Sequence, residues 1–210
     1  MTSIAWVATC LALVAAPTDW WAVASDRSRV EYVAKPLVLV ALIVVAATIE
    51  PANEAVRWWF VMGLTFGLAG DVLLMFDRFI PGASAFLMGH IAYIVGFLTV
   101  PLASSWLVAG GVVFVVILAT VGRRIAIDAW RQSARMGVIV VVYLLALGAV
   151  LVLGMGTAVI PAVAGVALFS LSDALLAWGR FVGATPGGRT FVHVTYHGAQ
   201  ALLVGALLVL

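Results

Sequence analysis

The sequence predicts an all-α integral membrane protein with eight transmembrane helices. Three observations carry that prediction. Hydrophobic residues make up 65% of the 210-residue chain and charged residues only 10%, against about 25% charged in an ordinary soluble domain. The apolar residues fall into eight runs of membrane-crossing length. The basic residues collect in alternate loops between those runs. So little charge leaves no room for a soluble domain, and residues 1–210 are expected to form a single transmembrane domain. Cys10 is the lone cysteine, which excludes a disulfide framework and a thiol-rich metal site. The net charge of +2 includes no basic cluster of the kind that binds nucleic acid.

Runs of about 17–22 apolar residues read as membrane spans. They lie at about 3–24, 34–50, 55–76, 82–100, 103–121, 136–153, 157–178 and 190–210. No Lys or Arg precedes the first run and no clean small-residue cleavage site follows it, so it reads as a retained helix. Ser25 to Arg29 ends span 1, and Glu50-Pro-Ala-Asn-Glu54 ends span 2. Asp77-Arg78 and Pro81-Gly82 part spans 3 and 4, and Pro101 precedes span 5. Residues 122–135 form the longest link, in which Ile125 to Trp130 is either an interfacial segment or plain loop. Gly154-Met-Gly156 is a tight link, and Gly183 to Gly188 forms the last loop.

Ten of the eleven basic residues lie in the links after spans 1, 3, 5 and 7: Arg27, Arg29, Lys35, Arg78, Arg123, Arg124, Arg131, Arg135, Arg180 and Arg189. Arg57 alone lies on the other side. The positive-inside rule makes the first set cytoplasmic and puts both termini on the opposite face. Tryptophans mark both interfaces: Trp58, Trp59 and Trp106 at outer ends, and Trp20, Trp21 and Trp178 at inner ends. Usage rich in Ala, Val, Gly and Arg points to a high-GC bacterium, hence to the inner membrane.

The chain also resembles itself. Asp71-Val-Leu-Leu-Met-Phe-Asp-Arg-Phe-Ile80 matches Asp173-Ala-Leu-Leu-Ala-Trp-Gly-Arg-Phe-Val182, and Ala34 to Val40 resembles Ala134 to Val140. Tyr93 and Tyr196 follow their aspartates by 22 and 23 residues. These matches predict a 4+4 parallel repeat, halves about 1–100 and 101–210. Four spans per copy preserve orientation, so the copies would be related by a pseudo-twofold axis along the membrane normal.

A carboxylate within a bilayer costs about 2.5–3.5 kcal/mol, so Asp71 and Asp173 are the leading site residues. Counted at 1.5 Å per residue from the inner loops, each lies about 9–10 Å deep, with His90, Tyr93, Tyr196 and His197 near the same level, and Gln200 shares a helix face with Tyr196. A shared layer implies a polar pocket open to the inner leaflet. Two carboxylates in a low-dielectric site resist joint ionisation, which leaves one protonated and one charged, as paired acid–base chemistry requires. The plainer alternative pairs each aspartate with a cation, Lys35 with one and Arg135 with the other. Lys35 is also placed to snorkel or to meet a lipid phosphate. His193 and His197, four residues apart, could hold a metal with His90. No motif supports this, so neither a metal nor a cofactor is expected. Gly63, Gly67 and Gly70 read as helix-packing residues.

Lys35-Pro-Leu37, Gly70-Asp-Val-Leu-Leu-Met75, Phe86-Leu-Met-Gly-His90 with Tyr93, Ser172-Asp173, and Thr195-Tyr196 with Ala199-Gln200 together resemble the YhhN / lysoplasmalogenase family over nearly the whole chain. His197 departs from the pattern, which has a second aromatic residue after the tyrosine. The resemblance implies hydrolysis of the vinyl ether bond of lysoplasmalogens to a fatty aldehyde and a glycerophospho-alcohol. Asp71 and Asp173 would then be catalytic, and Lys35, His90, Tyr93, Tyr196 and Gln200 would contact the lysophospholipid substrate. The competing expectation is a small-solute or lipid transporter with its polar site between the repeats. A polar layer displaced toward one face, without paired broken helices, weighs against it. Oligomeric state is not written in the sequence.

Overall fold

The computed structural model describes residues 2–210, and every regular element among them is helical. The order is α1 (Ser3–Ala24), α2 (Ser28–Thr48), α3 (Glu54–Met75), α4 (Phe79–Leu98), α5 (Ser104–Ile117), α6 (Arg123–Gln132), α7 (Ala134–Gly156), α8 (Ile160–Phe181) and α9 (Gly188–Ala206). A π-helical turn, Leu118–Gly122, joins α5 to α6 without a break. Seven helices are long and apolar enough to cross a membrane: α1, α2, α3, α4, α5 continued into α6, α7 and α8. The eighth expected span is α9. Its 19 residues reach about 28 Å at 1.5 Å each, but Arg189, His193, Thr195, His197 and Gln200 dilute its apolar character. Four of these five, all but Arg189, are buried against other helices.

Some expected boundaries shift. α2 begins at Ser28, six residues before the apolar run, so Pro36 lies inside a helix. The extra turns form because Glu31 is buried and paired with Arg189 of α9. The link 122–135 is neither loop nor plain connector. α6 turns Ile125 and Ala129 onto α7 and α8, and Asp128 holds Arg124 and Arg131 on its exposed side at 2.7 and 2.9 Å. Gly154 and Gly156 belong to α7, where they let Val166 and Leu107 approach. The true link is Thr157 to Val159, with Ala158 at φ 57°. Side-chain caps from Thr2, Asn53 and Ser133 accept from the first free amides of α1, α3 and α7.

Sequential helices pack as antiparallel neighbours: α1 on α2, α3 on α4, α5 on α7 and α8 on α9. α9 also touches α1, α2 and α3, and α4 touches α7, which joins the pairs into one bundle. Backbone bonds tie the loops of one end, Ala52 to Leu207 at 2.9 Å and Ala103 to Gly156 at 2.8 Å. The other, basic end is tied by Arg189–Glu31 and by Arg180 over the Phe79 ring at 5.0 Å. The exterior carries Val, Leu, Ile and Trp on many helices, while Asp19, Asp71, His90, Asp173, His193, His197 and Gln200 are buried. Apolar outside and polar inside is the pattern demanded by a lipid solvent. The protein is a multi-pass membrane protein.

α3 and α4 come unusually close. A side chain on Gly89 would meet the Gly63 carbonyl at 3.1 Å. Gly63 lies under the Tyr93 ring and Gly70 under the Phe86 ring, where a Cβ would sit 2.8 and 2.7 Å from ring atoms. The glycines are therefore packing residues, and their packing sets the positions of the aromatic rings around the aspartates.

Candidate functional site

Asp71 and Asp173 are each within 7% of complete burial, but their partners differ in kind. Asp71 Oδ1 receives Lys35 Nζ at 2.9 Å, with 2% of the aspartate side chain exposed and 12% of the lysine's. The two residues come from the basic thirds of α3 and α2. A long lysine stem crosses the short gap between these neighbouring helices. The second oxygen, Oδ2, is buried without a hydrogen-bond partner. Arg135, the other cation considered, is exposed on α7 and makes no ion pair with Asp173.

Asp173 has neutral-capable partners instead. Tyr143 of α7 donates its hydroxyl to Oδ2 at 2.7 Å, and His90 Nε2 of α4 lies 3.3 Å from the same oxygen. His90 Nδ1 sits 2.7 Å from the Phe86 carbonyl. A carbonyl oxygen only accepts, so Nδ1 carries a hydrogen. Nε2 makes no hydrogen bond to that oxygen and is buried without a partner. Asp173 thus meets a hydroxyl donor and an imidazole, whereas Asp71 meets a cation.

The remaining expected residues line the space between. Tyr93 donates to Gln200 Oε1 at 2.6 Å, joining α4 to α9. Tyr196 stacks on Phe169 at 6.2 Å and meets the Phe86 edge at 6.2 Å. Phe169 in turn stacks on His90 at 5.1 Å, so one aromatic wall connects α4, α8 and α9. The Tyr196 hydroxyl and Gln200 Nε2 are buried without partners, close over Gly67, one turn before Asp71. A Cβ at position 67 would stand 3.0 Å from that hydroxyl. These atoms and Asp71 Oδ2 form a set of unpaired donors and acceptors with capacity to hold a small polar molecule.

Beside Asp173 a cavity of about 60 Å³ opens among α3, α4, α6, α7 and α8. Tyr143, Phe86, Leu144 and Leu147 line it, and Phe79 and Phe181 stand toward the basic end. Arg180 lies over both of those rings, at 5.0 and 5.7 Å. Its lining is almost wholly apolar apart from Asp173 and the tyrosine.

Two groups escaped the sequence reading. Tyr143 is the only polar side chain of α7 between Arg135 and the end of the helix, and that isolation was a usable signal. Asp19 lies within the first apolar run and is fully buried, paired with His193 Nδ1 at 2.7 Å. The cost argument that singled out Asp71 and Asp173 applies equally to Asp19. His193 and His197 face Asp19 while His90 faces Asp173, so the three histidines serve two different places. Among the described residues, no cluster of His, Cys, Asp and Glu is arranged to hold a metal.

The YhhN family model matches residues 30–207, from α2 through α9. Lysoplasmalogenase TMEM86B of Sus scrofa is 31% identical over 135 residues, 64% of this chain and 56% of the pig protein. Lysoplasmalogenase TMEM86B of Homo sapiens is 31% identical over 141 residues, 67% of this chain and 59% of the human protein. The match thus spans little more than half the length of these relatives. No solved structure matches the chain. With the family model covering most of the sequence and all of the residues just described except Asp19, the chain belongs to the YhhN family.

Proposed function

We propose that this protein is a membrane-embedded hydrolase that cleaves the vinyl ether bond of lysoplasmalogen-like lipids. The observation that carries the reading is the unequal pair of buried carboxylates, one ion-paired with Lys35 and one hydrogen-bonded by Tyr143 beside His90. Vinyl ether hydrolysis begins with proton transfer to the β-carbon, which leaves an oxocarbenium ion. Water adds to that ion and loses a proton, and the hemiacetal collapses to aldehyde and alcohol. In this reading Asp173, aided by His90 and Tyr143, supplies the first proton into the adjoining cavity. The Asp71 carboxylate stabilises the cation and accepts the proton released by the water. Tyr196 and Gln200 hold that water, with Tyr93 orienting the Gln200 amide. Lys35 balances the charge of the Asp71 carboxylate, and Arg180 at the basic end of the cavity is placed to meet the substrate phosphate.

The reading extends to architecture and placement. We take α9 as the eighth span, with the basic end cytoplasmic and both termini opposite, in the inner membrane of a bacterium. The α1–α2 and α5–α7 pairs, and the α3–α4 and α8–α9 pairs, support a 4+4 repeat with Asp71 and Asp173 at equivalent places. The test is aldehyde release by purified protein from 1-alkenyl lysophosphatidylethanolamine. Absence of aldehyde, or release undiminished by both Asp71→Asn and Asp173→Asn, would refute it. Solute uptake into proteoliposomes without aldehyde release would favour a transporter instead.

A further inference from the structure

A second cavity, larger than the one beside Asp173, lies on a different side of the bundle, between α1, α2 and α9. Its volume is about 530 Å³, inside the range of about 300–1,000 Å³ typical of small-ligand sites. It runs along α1 from Thr9 to Trp20, a rise of about 16 Å. Val38, Leu42, Val45 and Val204 make its wall apolar, and its only strongly polar group is His197 at one end. α1 lies outside the region matched by the family model.

His197 is 2% exposed, and its tautomer follows from geometry. Trp20 Nε1 donates to His197 Nδ1 at 3.1 Å. An indole N–H can only donate, so Nδ1 is the lone pair and Nε2 carries the hydrogen. That Nε2–H is buried and has no partner in the protein. Asp19 cannot serve it, because its near oxygen stands 3.9 Å from the other ring nitrogen and is engaged by His193. A buried donor without an acceptor is costly, and here it stands at the end of a long apolar cavity.

We propose that this cavity binds a neutral single-chain lipid whose polar end is a hydrogen-bond acceptor seated on His197 Nε2–H. A single donor satisfies an aldehyde, ether or alcohol oxygen, but leaves a carboxylate largely unmet. The fatty chain lies along α1 and α9. If the hydrolysis proposed above holds, the long-chain aldehyde it releases belongs to this class, and the cavity receives product away from Asp173. That last identification rests on the hydrolysis reading, whereas the site itself does not.

The experiment is photolabelling of the whole protein in nanodiscs of phosphatidylethanolamine and phosphatidylglycerol, using hexadecanol with a diazirine in its tail. Labelled peptides are mapped by mass spectrometry. The expected result is saturable labelling of α1, α2 and α9 that hexadecanal and hexadecanol displace and hexadecane does not. His197→Phe keeps a ring but loses the donor, and weakens apparent affinity about five- to tenfold. Gly205→Leu lines the same cavity with added bulk. A Cβ there meets no atom within 4 Å, so the fold tolerates it, and labelling should fall without loss of folded protein. Asp173→Asn should label like the wild type, which separates this site from the hydrolytic one. Labelling confined to α7 and α8, displacement by hexadecane as strong as by hexadecanol, or full affinity in both His197→Phe and Gly205→Leu would overturn the proposal.

Discussion

Asp173→Asn is the sharpest test of the proton assignment, because the structure lets the substitution remove a proton without removing a contact. The asparagine carbonyl can accept the Tyr143 hydroxyl that now reaches Oδ2 at 2.7 Å. His90 Nε2, 3.3 Å from that same oxygen, has no hydrogen bond to lose. The volume is unchanged, so the folding cost should stay within about 1 kcal/mol. For a chain of this length that is a shift of about 2–4 °C in Tm. The amide cannot protonate carbon. Loss of a positioned general acid lowers rate by about 10²–10⁴, or roughly 3–5 kcal/mol of barrier. The assay is the initial rate of aldehyde formation from alkenyl lysophospholipid, with thermal unfolding followed on the same sample. A well-folded variant retaining more than a tenth of wild-type activity would refute the assignment of the acid to Asp173.

Asp71→Asn should behave differently, because it strands Lys35 in a nearly dry place. It should destabilise by about 3–5 kcal/mol, and Asp71→Leu combined with Lys35→Met should recover most of that loss in Tm while remaining inactive. Tyr93→Phe leaves Gln200 Oε1 without its donor at 2.6 Å and should cost about 1–3 kcal/mol, read as a lower unfolding midpoint. Gly70→Ala puts a methyl 2.7 Å from the Phe86 ring. It should depress activity more than stability if Phe86 swings into the Asp173 cavity, as measured by the ratio of rate loss to Tm loss. Gly137→Ala collides with the Trp130 ring at 2.2 Å, and should release α6 from α7, detectable as faster hydrogen exchange over 123–132.

Most of the helical plan was legible because membrane helices announce themselves by length and apolarity. The link 122–135 was not legible as a helix. Its charge of four arginines and one aspartate hides the two inward residues, Ile125 and Ala129, that dock it. The start of α2 was hidden likewise, since the partner that lets Glu31 be buried, Arg189, lies 158 positions away. In the candidate site, Asp71, Asp173, Lys35, His90, Tyr93, Tyr196 and Gln200 could all be singled out from depth, helix spacing and the family resemblance. Their partnerships could not. Lys35 was equally a snorkelling residue or a pair for either aspartate, and only helix adjacency puts it on Asp71. Tyr143 was passed over because a tyrosine in a membrane helix has an ordinary interfacial explanation. Asp19 was passed over because it lies in the tryptophan-marked end of the first span.

By itself, the sequence determined the solvent of this protein and the order of its long helices, the short α6 aside. Those properties depend on local composition and on the 1.5 Å rise of a helix, which need no knowledge of neighbours. The tertiary structure alone decided which carboxylate meets a cation and which meets a proton donor. It also decided that Asp19 belongs with His193, and that His197, with an unpartnered N–H, borders an apolar cavity. The physical reason is that a buried group's chemical state is set by atoms within about 4 Å, and in a helical bundle nearly all of those atoms come from distant parts of the chain.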